Sequence, residues 1–164
     1  MLRVLSTATL LGLTGLAPVY AVGTVVQERQ EDPQLAVASQ KARATLDLFL
    51  DKAMQGRTAT PDAAVLVLVP TETDPEALWV KDFKIKWNGR WVGAMANQPV
   101  AIPGRSAGER IRFDRGSVVD WSYKLEGKLY GHYTTRVLLT RQSTATRGQY
   151  EPLLAPTTLP EEWR

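Results

Sequence analysis

The stretch LWVKDFKIKWNGRWVGAM, residues 78–95, decides the fold class of this chain. Apolar and charged side chains alternate through its middle, and this alternation predicts a strand with one buried and one solvated face. The side chains expected on the buried face are Phe83, Ile85 and Trp87. The dipeptide Asn88-Gly89 follows at once and is the strongest short-range signal for a tight hairpin turn. Residues 90–95 then return as the antiparallel partner strand.

Elements on either side of this hairpin extend the sheet. The run AVLVLV, residues 64–69, is continuously apolar and predicts a strand buried on both faces. The turn pair Glu126-Gly127 separates two further short strands. Thr134 either caps a last short helix or continues a strand, and the pattern leaves both open. The short strands expected downstream of the hairpin are 109–114, 118–123 and 128–130.

The segment before the sheet predicts one amphipathic helix. Asp32 is a typical N-cap, and Pro33 is typical of the first helical position. Apolar residues recur with a 3.6-residue period from Leu35 to Ala53, and Gly56 is typical of a helix end. We therefore predict an α+β fold, with one N-terminal helix packed on a mostly antiparallel, curved sheet of four to six strands.

The first 21 residues are typical of a secretory signal peptide. Arg3 gives a minimal positive region, residues 4–16 are apolar, and small residues Val19 and Ala21 flank Tyr20. We expect cleavage after Ala21 and a periplasmic or secreted protein with no stable membrane insertion. An uncleaved membrane anchor is the alternative.

Length suits a single domain, because 164 residues bury one substantial core. The Thr- and Pro-rich C-terminal segment shows no periodicity, which is typical of a loosely attached tail. The expected organisation is a signal peptide (1–21), a flexible lead-in (22–31), a single α+β domain (32–141) and a loosely ordered tail (142–164).

Composition excludes several kinds of site. The chain has no Cys, so it holds no disulfide, no thiolate zinc site and no Cys nucleophile. It has one His, His132, so a catalytic triad could use no other imidazole. No loop of the calcium-binding type is present. We predict no metal and no cofactor.

Charge is unevenly distributed along the chain. Residues 80–147 hold 13 basic and 5 acidic side chains, whereas residues 22–79 hold 5 basic and 9 acidic ones. A basic middle segment attracts an anionic partner, unless the acidic helix and tail fold over the basic sheet and neutralise it. Nucleic acid is not expected as the partner of an exported protein.

The most function-like cluster lies around Asp120-Trp121 and residues 130–133. Aromatic side chains beside an acid and a turn glycine are typical of an exposed recognition patch. Alternatively, Trp121 and Tyr133 belong to the core and Asp120 accepts backbone N–H bonds. A hairpin should bring the two segments together, with Trp121 buried and Tyr130 at the surface. The predicted binding residues are Asp120, Trp121, Tyr130, Gly131, His132, Tyr133 and Arg136.

Two other groups of residues suggest carbohydrate chemistry. Trp87 and Trp91 flank the Asn88-Gly89 turn and could stack as a cross-strand pair, and with Trp79 they suggest an aromatic platform for sugars. Asp114 and Asp120 could form an acid–base pair for glycoside cleavage, although nothing in their spacing requires it.

Several pieces of the chain occur in a recognisable order and spacing: Leu78-Trp79-Val80, ANQPV at 96–100, Val119-Asp120-Trp121 and GKLYG at 127–131. Through these pieces, residues 79–137 resemble an uncharacterised bacterial family, the domain of unknown function 2314. We place the family-like part at about residues 64–140, without the N-terminal helix or the tail. The resemblance implies no activity, cofactor or partner. In typical relatives we expect Met in place of Ser122 and Gly or Asn in place of His132, so no shared chemistry centred on His132 is implied.

These features favour an exported, non-enzymatic module that binds another protein, such as an inhibitor or an immunity factor. The alternative is a cell-envelope carbohydrate-binding protein or hydrolase that uses Asp120 and the tryptophans. A concave acidic cleft would favour the alternative, whereas a flat or convex patch of aromatic and basic residues would favour the binding module.

Overall fold

The computed structural model of the chain describes residues 32–163, so the expected signal peptide and lead-in lie outside the described residues. Two helices come first, α1 (Pro33–Ala44) and α2 (Leu46–Ala53). Asp32 caps α1 as predicted, since its carboxylate accepts the backbone N–H of Gln34 at 2.9 Å. Asp32 also pairs with Arg141, and the hydrogen bond from that guanidinium lowers the pKa of Asp32 to about 2.

The single predicted helix is broken at Thr45. The Thr45 hydroxyl donates to the carbonyl oxygens of Lys41 and Ala42, which is how a Thr side chain competes with helical backbone bonding. The indole Nε1 of Trp121 donates to the Ala42 carbonyl at 3.2 Å and so holds the break in place. The second helix ends at Ala53 and not at Gly56, which lies at φ 63° in the turn of a small hairpin.

The sheet has eight strands, all paired antiparallel, where four to six were expected. The two additional strands are two-residue pieces that no periodicity could indicate. The α+β class is confirmed. The strands are β1 (Met54–Gln55), β2 (Thr58–Ala59), β3 (Ala63–Val69), β4 (Glu76–Ile85), β5 (Trp91–Met95), β6 (Arg110–Phe113), β7 (Val118–Leu125) and β8 (Lys128–Gly131).

Strand β3 lies between β4 and β7 and is buried on both faces over most of its length, as predicted. We call the face that packs against α1 and α2 the inner face. Its side chains form the main core with Leu46 and Phe49 of α2. On the opposite, outer face, a smaller buried cluster consists of Ala64, Leu66, Ala77, Trp79 and Val119.

The β4–β5 hairpin forms around Asn88-Gly89 as predicted, with Lys86 N–H donating to the Arg90 carbonyl at 2.8 Å. The expected burial of Trp87 is wrong, because β4 ends at Ile85 and Trp87 lies in the turn, 88% exposed. The suggested Trp87–Trp91 stack is wrong for the same reason: Trp91 is buried and stacks on Phe83, with ring centroids 5.5 Å apart.

The C-terminal part is ordered through residue 163. A helix follows β8, which settles the alternative left open at Thr134: α3 is Tyr133–Leu139, and α4 is Thr144–Tyr150. Residues 142–163, expected as a loosely ordered tail, include α4 and a contact with the main core. Trp163 is 9% exposed, and its ring centroid lies 5.1 Å from that of Tyr123. The buried ring of Trp163 and the backbone hydrogen bonds from Ala155 to Leu129 and from Gly131 to Thr158 thus attach a segment that has no hydrophobic period. No helix within residues 32–163 is long and apolar enough to cross a membrane.

Candidate functional site

Asp120 is fully buried in β7, and both of its carboxylate oxygens are engaged. It accepts the backbone N–H groups of Trp121, Tyr133 and Thr134 at 2.8, 3.1 and 2.8 Å, and the Thr134 hydroxyl at 2.6 Å. Tyr133 and Thr134 are the first residues of α3, whose initial N–H groups have no partner inside the helix. Asp120 therefore caps α3 from the strand. The sequence-based alternative has Asp120 accepting backbone N–H bonds, but it does not indicate that these belong to a helix N-terminus.

Burial raises the pKa of Asp120 to about 6, while the hydrogen bonds from Thr134, Trp121 and Tyr133 act in the opposite direction. No part of this carboxyl group reaches solvent, whereas Asp114 is exposed. The two carboxylates suggested as an acid–base pair therefore lie in unlike environments, and a sugar could not reach Asp120 without opening the fold.

His132 is also fully buried, with a left-handed backbone at φ 53°. Its Nε2 lies 2.8 Å from the Ser122 hydroxyl, and its Nδ1 lies 3.1 Å from the Thr135 hydroxyl. Burial and then the nearby charge of Arg136 lower the pKa of His132 to about 3, so the imidazole is neutral at pH 7.

The contact between Ser122 and His132 resembles the nucleophile–base pair of hydrolases, but its surroundings do not. Both side chains are buried, and the nearby Asp120 bonds to Thr134, so it does not orient the imidazole. The ring of His132 instead lies against Trp79, at 4.8 Å between centroids. Positions 122 and 132 are also the two at which we expect this chain to differ from typical relatives, and the structure places them in contact.

Gly131 and Trp121 touch closely. Gly131 has φ 75°, and a Cβ there would lie 2.1 Å from the Trp121 carbonyl oxygen. The Trp121 ring is fully buried and stacks on Phe49 with centroids 4.9 Å apart. Trp121 is therefore a core residue, as expected, and only glycine fits beside its backbone.

The remaining predicted site residues surround this contact. Tyr133 is buried, and its hydroxyl lies 3.0 Å from that of Thr45. Arg136 is half-buried and donates to the carbonyls of Gly131 and Ala155, which ties α3 to the C-terminal segment. Tyr130 is half-buried opposite Tyr123. The structure thus brings the seven predicted residues together, but only Tyr130 and Arg136 keep appreciable exposed area.

A second group, of which the sequence singled out only Trp87, lies at the tip of the β4–β5 hairpin. The guanidinium carbon of Arg57 lies 3.9 Å from the centroid of the exposed Trp87 ring. Arg57 also donates to the Lys86 carbonyl, so the cation is held beside the indole. We call Arg57, Lys86, Trp87 and Arg90 the tryptophan tip. The sequence did contain a signal that Trp87 is exposed. Trp87 directly precedes Asn88-Gly89, so it belongs to the four-residue turn and not to the strand.

Next to the tip, four cations lie on the outer face of β4, β5 and β6. Residues directly opposite each other on neighbouring strands point to the same face. Lys81 and Arg110 both pair with Ala94, whereas Lys84 and Arg112 both pair with Val92. All four cations are exposed. We call Lys81, Lys84, Arg110 and Arg112 the basic face.

Acidic side chains do not neutralise this surface. Among residues 32–163, none of the ion pairs includes a member of the basic face or the tryptophan tip. Three cations of the middle segment do have acidic partners from outside it: Arg141 pairs with Asp32, Arg115 with Asp47, and Arg147 with Glu151. The alternative that the acidic helix and tail cover the basic sheet does not extend to the basic face, because α1 and α2 pack on the inner face and the cations of the basic face lie on the outer one.

Comparison with known proteins assigns this α+β domain to a bacterial family. The model of a family described as an uncharacterized protein conserved in bacteria, domain of unknown function 2314, matches residues 32–154. The chain belongs to this family, and the resemblance noted from the sequence is confirmed. The match includes α1, α2 and α4, so the family extends beyond the 64–140 expected. No curated protein and no solved structure matches the chain.

Metal-ligand types do not gather in the described part of the chain. Over residues 32–163, no group of three or more His, Cys, Asp or Glu side chains is placed so that it could hold a metal ion.

Proposed function

We propose that this protein is an exported, non-enzymatic module that binds another protein through the tryptophan tip and the basic face. The observation that carries the proposal is the 88% exposure of Trp87 beside Arg57. Trp and Arg are the residue types most enriched among those that dominate binding energy. An inhibitor or an immunity factor would use such a surface.

The contact with Arg57 prepares Trp87 for binding. An indole held by a neighbouring cation loses less side-chain freedom when a partner covers it. The tip stands on a hairpin whose base is packed into the core through Phe83 and Trp91. A rigid base and an exposed aromatic apex are typical of a protein-binding loop.

Export to the periplasm or the medium remains part of this proposal and is supported by the signal-like residues 1–21. The carbohydrate-related alternative has less support. Asp120, Trp79 and Trp91 are all buried, so only Trp87 remains for a sugar platform.

The test is site-specific photo-crosslinking in a bacterium that produces the chain. A photoreactive residue replaces Trp87 in one variant and Val37, an apolar residue of α1 that is 49% exposed, in the control. We expect a discrete protein adduct from position 87 in the periplasm or the medium, and none from position 37.

The captured protein is then purified and titrated with the wild type and with Trp87→Ala. We expect about a tenfold loss of affinity, or roughly 1.4 kcal/mol, for Trp87→Ala and little change for Val37→Ala. Identical adducts from both positions would contradict the binding role, and accumulation of the chain in the cytoplasm would contradict export.

A further inference from the structure

We propose that the basic face binds an acidic, extended segment of the partner protein, with carboxylates on alternate residues. This inference rests on the proposed function and deepens it, because it names the chemistry of the partner's contact. The tryptophan tip would supply the apolar part of the interface, and the basic face its charged part.

A β-bulge creates the basic face. Lys81 pairs with Ala94 and Lys84 with Val92, so three residue steps on β4 match two on β5. The bulge contains Asp82, at φ 49°. Without the extra residue, the alternation of a strand would send Lys81 and Lys84 to opposite faces. The irregularity places both on the outer face.

Gly93 on β5 makes room for this bulge. A Cβ at Gly93 would lie 2.5 Å from Val80 Cγ1, 2.8 Å from Phe83 Cβ and 2.9 Å from the Lys81 carbonyl oxygen. Val80 and Phe83 are both fully buried on the inner face. The core on one side and the pair of lysines on the other therefore depend on the same backbone irregularity.

The four cations lie at the corners of a rectangle that the sheet geometry fixes. Strands β4 and β6 are separated by β5, so the cations on them are about 10 Å apart across the strands. Along β6, Arg110 and Arg112 are two residues apart, which is about 7 Å. Alternate side chains of any extended peptide repeat at the same distance, so a segment with acidic side chains at every second position matches the cations along a strand.

Between the cations the surface is apolar. Ala94 and Val92, each 8% exposed, separate the cations of β4 from those of β6. The guanidinium of Arg110 donates to the carbonyls of Asp82 and Val92, so it is held across this surface. Within residues 32–163, strand β6 pairs with β5 alone, so β6 forms an edge of the sheet beside the basic face.

Charge complementarity selects an acidic occupant. These four cations have no ion-pair partner among residues 32–163 and repel one another. A segment of carboxylates relieves this repulsion while it covers the apolar surface. Strands β4, β5 and β6 carry two carboxylates, those of Asp82 and Glu76. Glu76 is buried at the start of β4 and accepts the backbone N–H groups of Val100 and Ala101, whereas Glu109 pairs with Arg105 outside these strands. Action outside the cytoplasm disfavours nucleic acid as the occupant, and the spacing of the cations favours an extended protein segment over a lipid surface.

The test uses fluorescence anisotropy with a labelled peptide in which Glu alternates with Thr. A peptide with Gln in place of Glu is the control ligand. The variant is Lys84→Glu/Arg112→Glu in the full chain. The matched control variant is Lys41→Glu/Lys52→Glu, which changes net charge equally on exposed positions of α1 and α2.

We expect salt-dependent binding of the Glu peptide and none of the Gln peptide. Lys84→Glu/Arg112→Glu should weaken binding at least about tenfold, and Lys41→Glu/Lys52→Glu less than about threefold, because distant charges are screened at physiological salt. Circular dichroism checks the fold, and Lys84→Gln/Arg112→Gln replaces the reversal if that variant unfolds. Equal losses from both double variants would overturn the inference.

Two further ligands separate the classes of partner. Tighter binding to duplex DNA, or to vesicles that contain phosphatidylglycerol, than to the Glu peptide would overturn the inference. If the Glu peptide does not bind but the cross-link at position 87 still forms, the inference of an acidic segment is wrong and the proposed function stands. If no cross-link forms at position 87, the proposed function is wrong, whether or not the Glu peptide binds.

Discussion

The carboxylate of Asp120 in β7 accepts both the backbone N–H and the hydroxyl of Thr134 in α3, at 2.8 and 2.6 Å. His132 occupies the N-cap position of α3, but its side chain makes no capping hydrogen bond to a backbone N–H of the helix and contacts the Thr135 hydroxyl instead. The helix is therefore capped by a strand residue, Asp120, and not by the side chain at its own N-cap position. This relationship explains why an acidic residue is tolerated at full burial in the middle of a sheet.

Asp120→Ala should destabilise the protein by at least about 3 kcal/mol, because it leaves three N–H groups and a hydroxyl buried without an acceptor. The measurement is urea denaturation followed by far-UV circular dichroism. Asp114→Ala is the control, since Asp114 is exposed and caps no helix with its side chain, and it should stay within about 0.5 kcal/mol of the wild type. Equal effects of the two substitutions would contradict the capping role.

Local signals predicted most of the fold. Asp32-Pro33, the apolar run in β3 and the Asn88-Gly89 turn each act through neighbouring residues, and each element formed where it was expected. The break at Thr45 depends on Trp121, a residue 76 positions away, and no local pattern reports such a contact. The bulge at Asp82 likewise depends on a glycine in the facing strand.

The candidate site was harder to predict than the fold. The sequence shows that Asp120, Trp121 and His132 have side chains suited to binding or catalysis. Whether a ligand can reach them depends on their burial, and all three are fully buried. The exposed Trp87 was missed because the strand alternation was continued by two residues too many. The basic face was missed because its members come from β4 and β6, and only the register of β5 places them side by side.

Two tryptophans with opposite environments test whether the C-terminal segment contributes to stability. Trp163→Ala should lower the free energy of unfolding by about 3 kcal/mol, because the ring packs against Trp121 and Tyr123. Trp87→Ala should change it by less than about 0.5 kcal/mol, since the side chain is exposed. Denaturation midpoints of both variants are the measurement. If Trp163→Ala is as stable as the wild type, the C-terminal segment is only loosely attached, as the sequence suggested.

The pH dependence of stability should reveal the buried histidine. The pKa of His132 is about 3 in the folded chain against 6.5 for an ordinary histidine, so only the unfolded chain takes up this proton between those values. Stability contributed by the neutral His132 is therefore present above pH 6.5 and lost as the pH falls toward 3, by up to about 1.4 kcal/mol per pH unit. Asp120 acts in the opposite direction, because its pKa is raised to about 6.

His132→Asn isolates the histidine contribution, since Asn tolerates the left-handed backbone at this position. We expect this substitution to destabilise the protein most at neutral pH and progressively less as the pH falls from 6.5 toward 3. Unfolding free energies of the two proteins across this range are the measurement. A difference between them that does not change with pH would show that His132 titrates normally in the folded state.

Gly131 should be the least replaceable glycine within residues 32–163. Gly131→Ala adds a Cβ that would lie 2.1 Å from the Trp121 carbonyl oxygen and 2.5 Å from its ring, on a backbone with φ 75°. Left-handed strain and overpacking together should cost about 3 kcal/mol or more. Gly148→Ala is the matched control, because Gly148 lies in α4 with open space around it, and alanine there should stabilise by about 0.5–1 kcal/mol. The measurement is the thermal unfolding midpoint of both variants. If Gly131→Ala unfolds at the same temperature as the wild type, the close contact between Gly131 and Trp121 does not exist in solution.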